Sequence, residues 1–266
     1  MLQDFVMENV TPARSLIVAN GVHNHNEFVT LAKERLSDFL PVPEQNYQRP
    51  SAEYIGGESR TWTETPNTSI TVGFEGASWT NQNQPALQVA AAILGCSQSG
   101  YRHRHVSSVS HRSLKAVHQN SFADHVHAFN HHFSDSGLFG VTVTGSGSHS
   151  RELMDVALGE LHRLKDPIND EELNRAKNVL KMNLIRELEN PTARLEEIAR
   201  NYVVYGNNFN FHKYSEIIDN VTSQQINSVS LTNSGCQPGL QVQTLYRGSR
   251  RSHQPRTYYH GRPEAA

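Results

Sequence analysis

Cysteine is nearly absent from this chain. Its 266 residues hold only Cys96 and Cys236, with no CxxC pair. That excludes a disulfide framework and a zinc ribbon, and points to a reducing compartment. No apolar run approaches the roughly 20 residues that a membrane helix requires. An excess of one charge is also missing. Lys and Arg number 24 against 26 Asp and Glu, a net of −2, so there is no footprint for nucleic acid or an anionic membrane surface. The apolar share, 36%, is low for a globular chain of this size. The length suits one large domain, or one domain and a fragment of another. Met1-Leu-Gln-Asp-Phe-Val-Met-Glu8 carries acids and no Arg, unlike a signal or transit peptide, so any targeting sequence is expected to be missing from this chain.

What is present is patterned. Asn169 is placed to cap a helix, and Glu172 stands where a capping-box carboxylate belongs. Leu173, Ala176, Leu180, Leu184 and Leu188 follow at helical spacing, with acids first and mostly bases later, which predicts a long amphipathic helix. Upstream, Gln3–Glu8 reads as a short helix and Ser15-Leu-Ile-Val-Ala19 as a buried strand. Asn24–Leu36 reads as a helix with Phe28, Leu31, Ala32 and Leu36 on one face, ended by Pro41 and Pro43. The polar residues Glu44–Ser51 read as a linker. Tyr54–Arg60 and Ser69–Glu75 alternate as a half-buried strand pair would, and Gln84–Leu94 is an Ala-rich helix. Residues 96–121 and the tail from 228 carry neither period and read as disordered polar segments.

Fifteen histidines make zinc tempting, but no H-x-x-E-H occurs. The nearest arrangement, His127-Ala-Phe-Asn-His131 with His132 beside it, lacks the acid. On a strand its ends share a face but lie roughly 13 Å apart, so these side chains read as structural or solvent-facing. Glu171, Glu172, Glu187 and Glu189 read as a solvated helix face rather than paired acids. Asp135 and Ser136 lack a base in any recognisable arrangement, and Gly56-Gly57 suits a strand turn better than a phosphate loop.

The wording of several segments resembles subunits of the mitochondrial processing peptidase, of the insulinase–pitrilysin metallopeptidase family. Thr11-Pro-Ala-Arg14, Gly21-Val-His23 and His25-Asn-Glu27 match the passage that closes the family's first domain. Tyr54, Gly56, Gly57, Glu58, Arg60, Phe74, Glu75, Gly76 and Trp79 match the opening of its second. The match resumes at Ala128–Gly140, with its Asp135-Ser-Gly-Leu-Phe-Gly140 core, and continues through the Asn169 helix to Arg194–Arg200 and Tyr205-Gly206. The matched segments cover most of residues 4–226. The resemblance implies an α+β fold, a two-layer α/β sandwich whose mixed or antiparallel sheet is covered by helices. It divides the chain into a strand–helix remnant of a first domain over 1–45, a linker over 46–53, a second peptidase-like domain over 54–227, and a tail over 228–266.

In the family's alpha-type subunit, a glycine-rich loop follows the Ala-rich helix. Tyr101-Arg-His-Arg-His-Val106 can be coded so that a one-base shift reads Gly-x-Gly-Met, and the interval from Gly95 to Ser136 has nearly the length that loop and its following helix would occupy. Ser234–Gly239, similarly shifted, reads Ala-Asn-Pro-Gly, similar to the start of a late family strand. Both stretches are therefore expected to be out of frame.

The resemblance implies a non-catalytic, alpha-type subunit that helps bind presequence peptides for a zinc-bearing beta-type partner, in the mitochondrial matrix or on the matrix face of the inner membrane. With H-x-x-E-H missing, no catalytic, metal-binding or cofactor-binding residue is assigned here, and zinc is expected only in the partner. The alternatives are a beta-type fragment lacking its catalytic domain, to which Phe74-Glu-Gly-Ala-Ser-Trp79 inclines, a core structural protein of the respiratory cytochrome bc complex, or an inactive product with no stable fold.

Overall fold

The computed structural model describes residues 14–36, 50–62, 65–95, 111–207, 210–234 and 241–246, with Gln3, Phe5, Val6, Val10 and Thr11. Its helices are α1 His25–Arg35, α2 Gln84–Leu94, α3 Arg112–Gln119, α4 Ser150–His162, α5 Asp170–Glu189, α6 Pro191–Tyr205, α7 Phe211–Asp219 and α8 Ser223–Ser234. Its strands are β1 Gly57–Trp62, β2 Asn67–Glu75, β3 Ala123–His132, β4 Gly137–Ser146 and β5 Gln241–Tyr246. Two compact units form: residues 1–51 with 183–210, and residues 52–182 with 211–266.

The larger unit is a two-layer α/β sandwich, as expected. Its sheet runs β1-β5-β2-β4-β3. β2, β4 and β3 pair antiparallel, β5 is antiparallel to β2, and β1 is parallel to β5. Alternation sorts the central strands into two faces. Ile70, Val72 and Phe74 of β2 and Phe139, Val141 and Val143 of β4 point inward and are almost fully buried, with the Phe74 and Phe139 ring centroids 5.3 Å apart. The helix layer supplies Val89, Ile93 and Leu94 from α2, Leu153 and Ala157 from α4, and Ile226 from α8, all at most 2% exposed.

Local chemistry sets the helix ends. Asn169 Oδ1 accepts the Glu172 N–H at 2.7 Å, as expected of the cap. The Glu172 carboxylate does not reach back, however, because both its oxygens are taken by Arg112. In the smaller unit Asn24 caps α1, accepting from Asn26 and Glu27. Asn190 caps α6 ahead of Pro191, and Gly206, at φ 67°, ends it.

Four expectations need correction. Ser15–Ala19 is not a strand: Leu16 is 40% and Ile17 52% exposed. A strand exists only by pairing, and no described strand runs beside this one. β1 and β2 are both present but are not neighbours, because β5 lies between them. The tail from 228 is not structureless where described, since α8 runs to Ser234 and β5 fills that gap. Residues 96–121 are not uniformly anomalous either. α3 occupies 112–119, with Ala116 1% exposed, and Ser113 is fully buried and donates its hydroxyl to the Leu94 carbonyl. Such specific packing leaves the first out-of-frame stretch with residues 96–110, which lie outside the described residues, as do residues 235–239 of the second stretch, half of Gln3–Glu8 and the linker residues 46–49. No helix among the described residues is long and apolar enough to cross a membrane.

Candidate functional site: the open face of the sheet

The helices cover one face of the sheet. The opposite face is built from the alternate residues of β2, β4 and β3, aligned in cross-strand rows. Ser69 lies beside Thr144 and then His125, Thr71 beside Thr142 and His127, Gly73 beside Gly140 and Phe129, and Glu75 beside Leu138 and His131. The first two rows are hydroxyl ladders, with Thr144 Oγ1 donating to Ser69 at 3.2 Å and the Thr71 and Thr142 hydroxyls 3.0 Å apart. The third row is a trough. A Cβ on Gly140 would stand 2.6 Å from the Phe129 ring, and one on Gly73 3.3 Å from it, so the phenyl group lies where the glycines leave room. The Tyr54 hydroxyl donates to the Gly73 carbonyl at 3.3 Å, and the His131 ring stacks on Phe129 at 5.4 Å. The result is a half-buried polar face with a buried aromatic centre, since Phe129 is only 9% exposed.

The motifs that carried the resemblance meet at one end of this sheet. Gly76 N–H donates to the Gly137 carbonyl at 2.8 Å, and Trp79 N–H to the Phe133 carbonyl at 3.1 Å. His132 turns to the covered side, its Nδ1 2.8 Å from the Ala77 carbonyl and its ring 4.9 Å from that of Trp79. Asp135 accepts the Ala52 N–H at 2.8 Å, and the Ser136 carbonyl accepts from Phe133. Phe74, Gly76, Trp79, Asp135, Ser136 and Gly137 therefore form a structural joint, and no nucleophile and base are brought together there. Gly56, at φ 70°, serves the turn into β1.

His127 and His131 share the open face, as the strand reading required, with Phe129 between them. Burial first, and the neighbouring His125 second, hold the His127 imidazole below its usual range. Among the described residues no group of three or more His, Cys, Asp or Glu is placed to hold a metal ion. Glu171 is exposed at the start of α5. In the smaller unit burial, with Glu197 adding to it, raises the Glu187 carboxyl.

Glu172 does not lie on a solvated helix face as the sequence suggested, because an electrostatic clamp in the helix layer holds its carboxylate, and the side chain is 18% exposed. Arg112 donates from Nε and Nη2 to the two Glu172 oxygens at 2.8 and 2.9 Å, and from Nη1 to the Arg163 carbonyl. Arg163 in turn pairs with Glu160 at 2.7 Å, a carboxyl only 2% exposed that burial raises in spite of two nearby guanidinium groups. The hydrogen bonds from Arg112 hold the Glu172 carboxyl below the ordinary glutamate range. A depressed folded value means that the contribution is fully present above the unfolded value of about 4.3 and is lost as pH falls through the folded one. Urea midpoints measured from pH 6 downward are therefore expected to fall more steeply for the native chain than for Glu172→Gln over that window. The polar composition of 96–121 hid Arg112, and only its position as the first basic residue of a short amphipathic helix could have flagged it.

This fold is that of an inactive metallopeptidase-type domain, and the sequence comparisons agree. The Peptidase M16 inactive domain family matches residues 1–180, and the chain belongs to that family. The mitochondrial-processing peptidase subunit alpha of Solanum tuberosum is 29% identical over 234 residues, which are 86% of this chain and 46% of the relative. The beta subunit of Saccharomyces cerevisiae is 29% identical over 233 residues, 85% of this chain and 50% of the relative. Cytochrome b-c1 complex subunit 1 of Rattus norvegicus is 26% identical over 235 residues, 86% and 48%. The chain spans about half the length of these relatives. A chain of complex III2 from Candida albicans, in a structure with Inz-5 bound, superposes with a TM-score of 0.69 at 21% identity. The match covers 84% of this chain and 52% of that one, and the likeness is one of fold.

Proposed function

We propose that this chain is the inactive half of an alpha-type processing-peptidase subunit, working in the mitochondrial matrix with a zinc-bearing beta-type partner and helping to hold presequence peptides for cleavage. The observation that carries the reading is an M16 inactive domain whose sheet has one face lined by polar residues, with no described helix of the larger unit packed on it, and no H-x-x-E-H anywhere in the chain. A domain so built contributes position, which speeds a reaction by orienting the peptide before the partner's chemistry acts. The Gly95 to Ser136 interval and the shifted Gly-x-Gly-Met favour alpha over beta.

Residues 1–45 belong, on this reading, to a first domain, with 46–53 as the linker. Two observations support that assignment: the Ser15–Ala19 run has no described strand beside it, and α1 buries none of its residues. The same surface favours a second reading. Exposed Leu16, Ile17, Leu31 and Val203 in the smaller unit suit a scaffold packed into a larger assembly, as a core protein of the cytochrome bc complex would be.

A binding titration separates the readings. A fluorescent basic presequence peptide is titrated against the chain co-purified with a beta-type subunit, once as it stands and once with residues 96–110 replaced by the corresponding loop of the potato alpha subunit. Saturable binding that appears with the restored loop supports the alpha reading. Failure of both forms to bind, with the complex intact by size-exclusion chromatography, contradicts it and favours the scaffold.

A further inference from the structure

We propose that His125 and His127 form a two-imidazole site for copper(II) or nickel(II) on the open face of the sheet. The two residues alternate on the edge strand β3, so their Cα atoms lie about 6.6 Å apart and both side chains leave by the same face. From that separation two imidazole nitrogens can converge on one ion at bonds of about 2 Å. Across the strand they face Thr144 and Thr142, whose hydroxyls are already engaged with Ser69 and Thr71, so the floor beside them is small and polar. A β-bulge between Ala123 and His125 precedes the pair, a feature that bends a strand and re-aims the side chains that follow it. His125 is exposed and His127 half-buried, which leaves the approach open.

Among the described residues no third ligand joins the pair, and that selects the ion. His131 shares the face but stands roughly 13 Å along the strand from His127 and is stacked on Phe129. Structural zinc sites draw four ligands from the protein. Copper(II) and nickel(II) stand highest in the divalent affinity order, favour imidazole, and fill remaining positions with water. The plain alternative is two solvated histidines on a wet sheet face. The proposal does not rest on the processing-peptidase reading.

The test uses the full chain and nickel(II) chloride, with calorimetry and with diethyl pyrocarbonate labelling of each histidine read by mass spectrometry. Nickel is expected to protect His125 and His127 at one common concentration. His125→Asn is expected to remove the protection of His127 as well and to weaken that binding step by at least about tenfold, while His131→Asn alters neither. The spacing recurs at His23-Asn-His25 and His103-Arg-His105, so the labelled positions decide the matter. Protection of His127 that survives His125→Asn, or protection confined to other histidines, overturns the proposal. His125→Gln, with an unchanged far-UV spectrum, keeps the result independent of any folding defect.

Discussion

Arg112→Met is expected to cost about 3 kcal/mol of unfolding free energy, because it strands the Glu172 carboxylate in a site that is only 18% exposed. The guanidinium group supplies both partners of that carboxylate and also satisfies the Arg163 carbonyl, so methionine replaces the stem and none of the donors. The ion pair joins α3 to the first turn of α5, and Glu160 with Arg163 brings in the end of α4. Urea denaturation of the single variants Arg112→Met and Glu172→Gln, and of the double variant, checks this. The double variant is expected to lose much less than the sum of the singles, because removing both partners leaves no orphaned charge. Additive losses would show that the pair is not coupled. The result also bears on the chain's history, since an arginine that holds three helices together belongs to the reading frame of the surrounding domain.

Gly137→Ala is expected to be a severely damaging single-methyl addition in the larger unit, in a class with additions at Gly140 and Gly145, whose Cβ atoms would also meet backbone oxygens at 2.2 and 2.1 Å. A Cβ there would sit 2.3 Å from the Ala77 carbonyl oxygen and 2.7 Å from its nitrogen, and both are backbone atoms that no rotamer change can move aside. Gly76 and Gly137 are hydrogen-bonded at the same joint, so displacing one strand end disturbs the Trp79–His132 packing beside it. A loss of about 3 kcal/mol or more, or failure to accumulate as folded protein, is the expected outcome. Gly159→Ala is the control: a Cβ there meets nothing within 4 Å, and the site is helical, where alanine is expected to gain up to about 1 kcal/mol. Comparable losses at both positions would contradict the steric account.

The sequence patterns announce elements whose faces differ in polarity along a single period. α2 and α5 are legible for that reason, and so is β2, whose inward residues alternate with Ser69 and Thr71. β3 was readable as a strand through its Ala128-Phe-Asn match. The position of β5 was not, because which strand fills the gap between β1 and β2 depends on pairing across some 170 residues, and the polar tail around it carries no local mark of that pairing. The Ser15–Ala19 run shows the converse: apolar residues advertise a strand, but only a neighbour's hydrogen-bonding groups can make one. At the candidate site the joint glycines were visible as motif letters, and their purpose, close approach of Gly137 to Ala77, emerged only in three dimensions. His125 and His127 carry no mark at helical H-x-x-E-H spacing, whereas a strand brings residues two apart onto the same face.

The alpha-type reading turns on one stretch, and the most direct measurement is the sequence of the native transcript from the codon for Leu87 to that for Phe122, extended upstream of Met1. The account predicts an uninterrupted frame that encodes a Gly-x-Gly-Met loop and rejoins the present sequence by Arg112, with a first domain upstream that lacks H-x-x-E-H. Histidines 103 and 105 would then be absent from the protein. A transcript that encodes Tyr101-Arg-His-Arg-His as it stands would contradict the presequence-holding role, and an upstream H-x-x-E-H would make the chain the inactive half of a catalytic beta-type subunit instead.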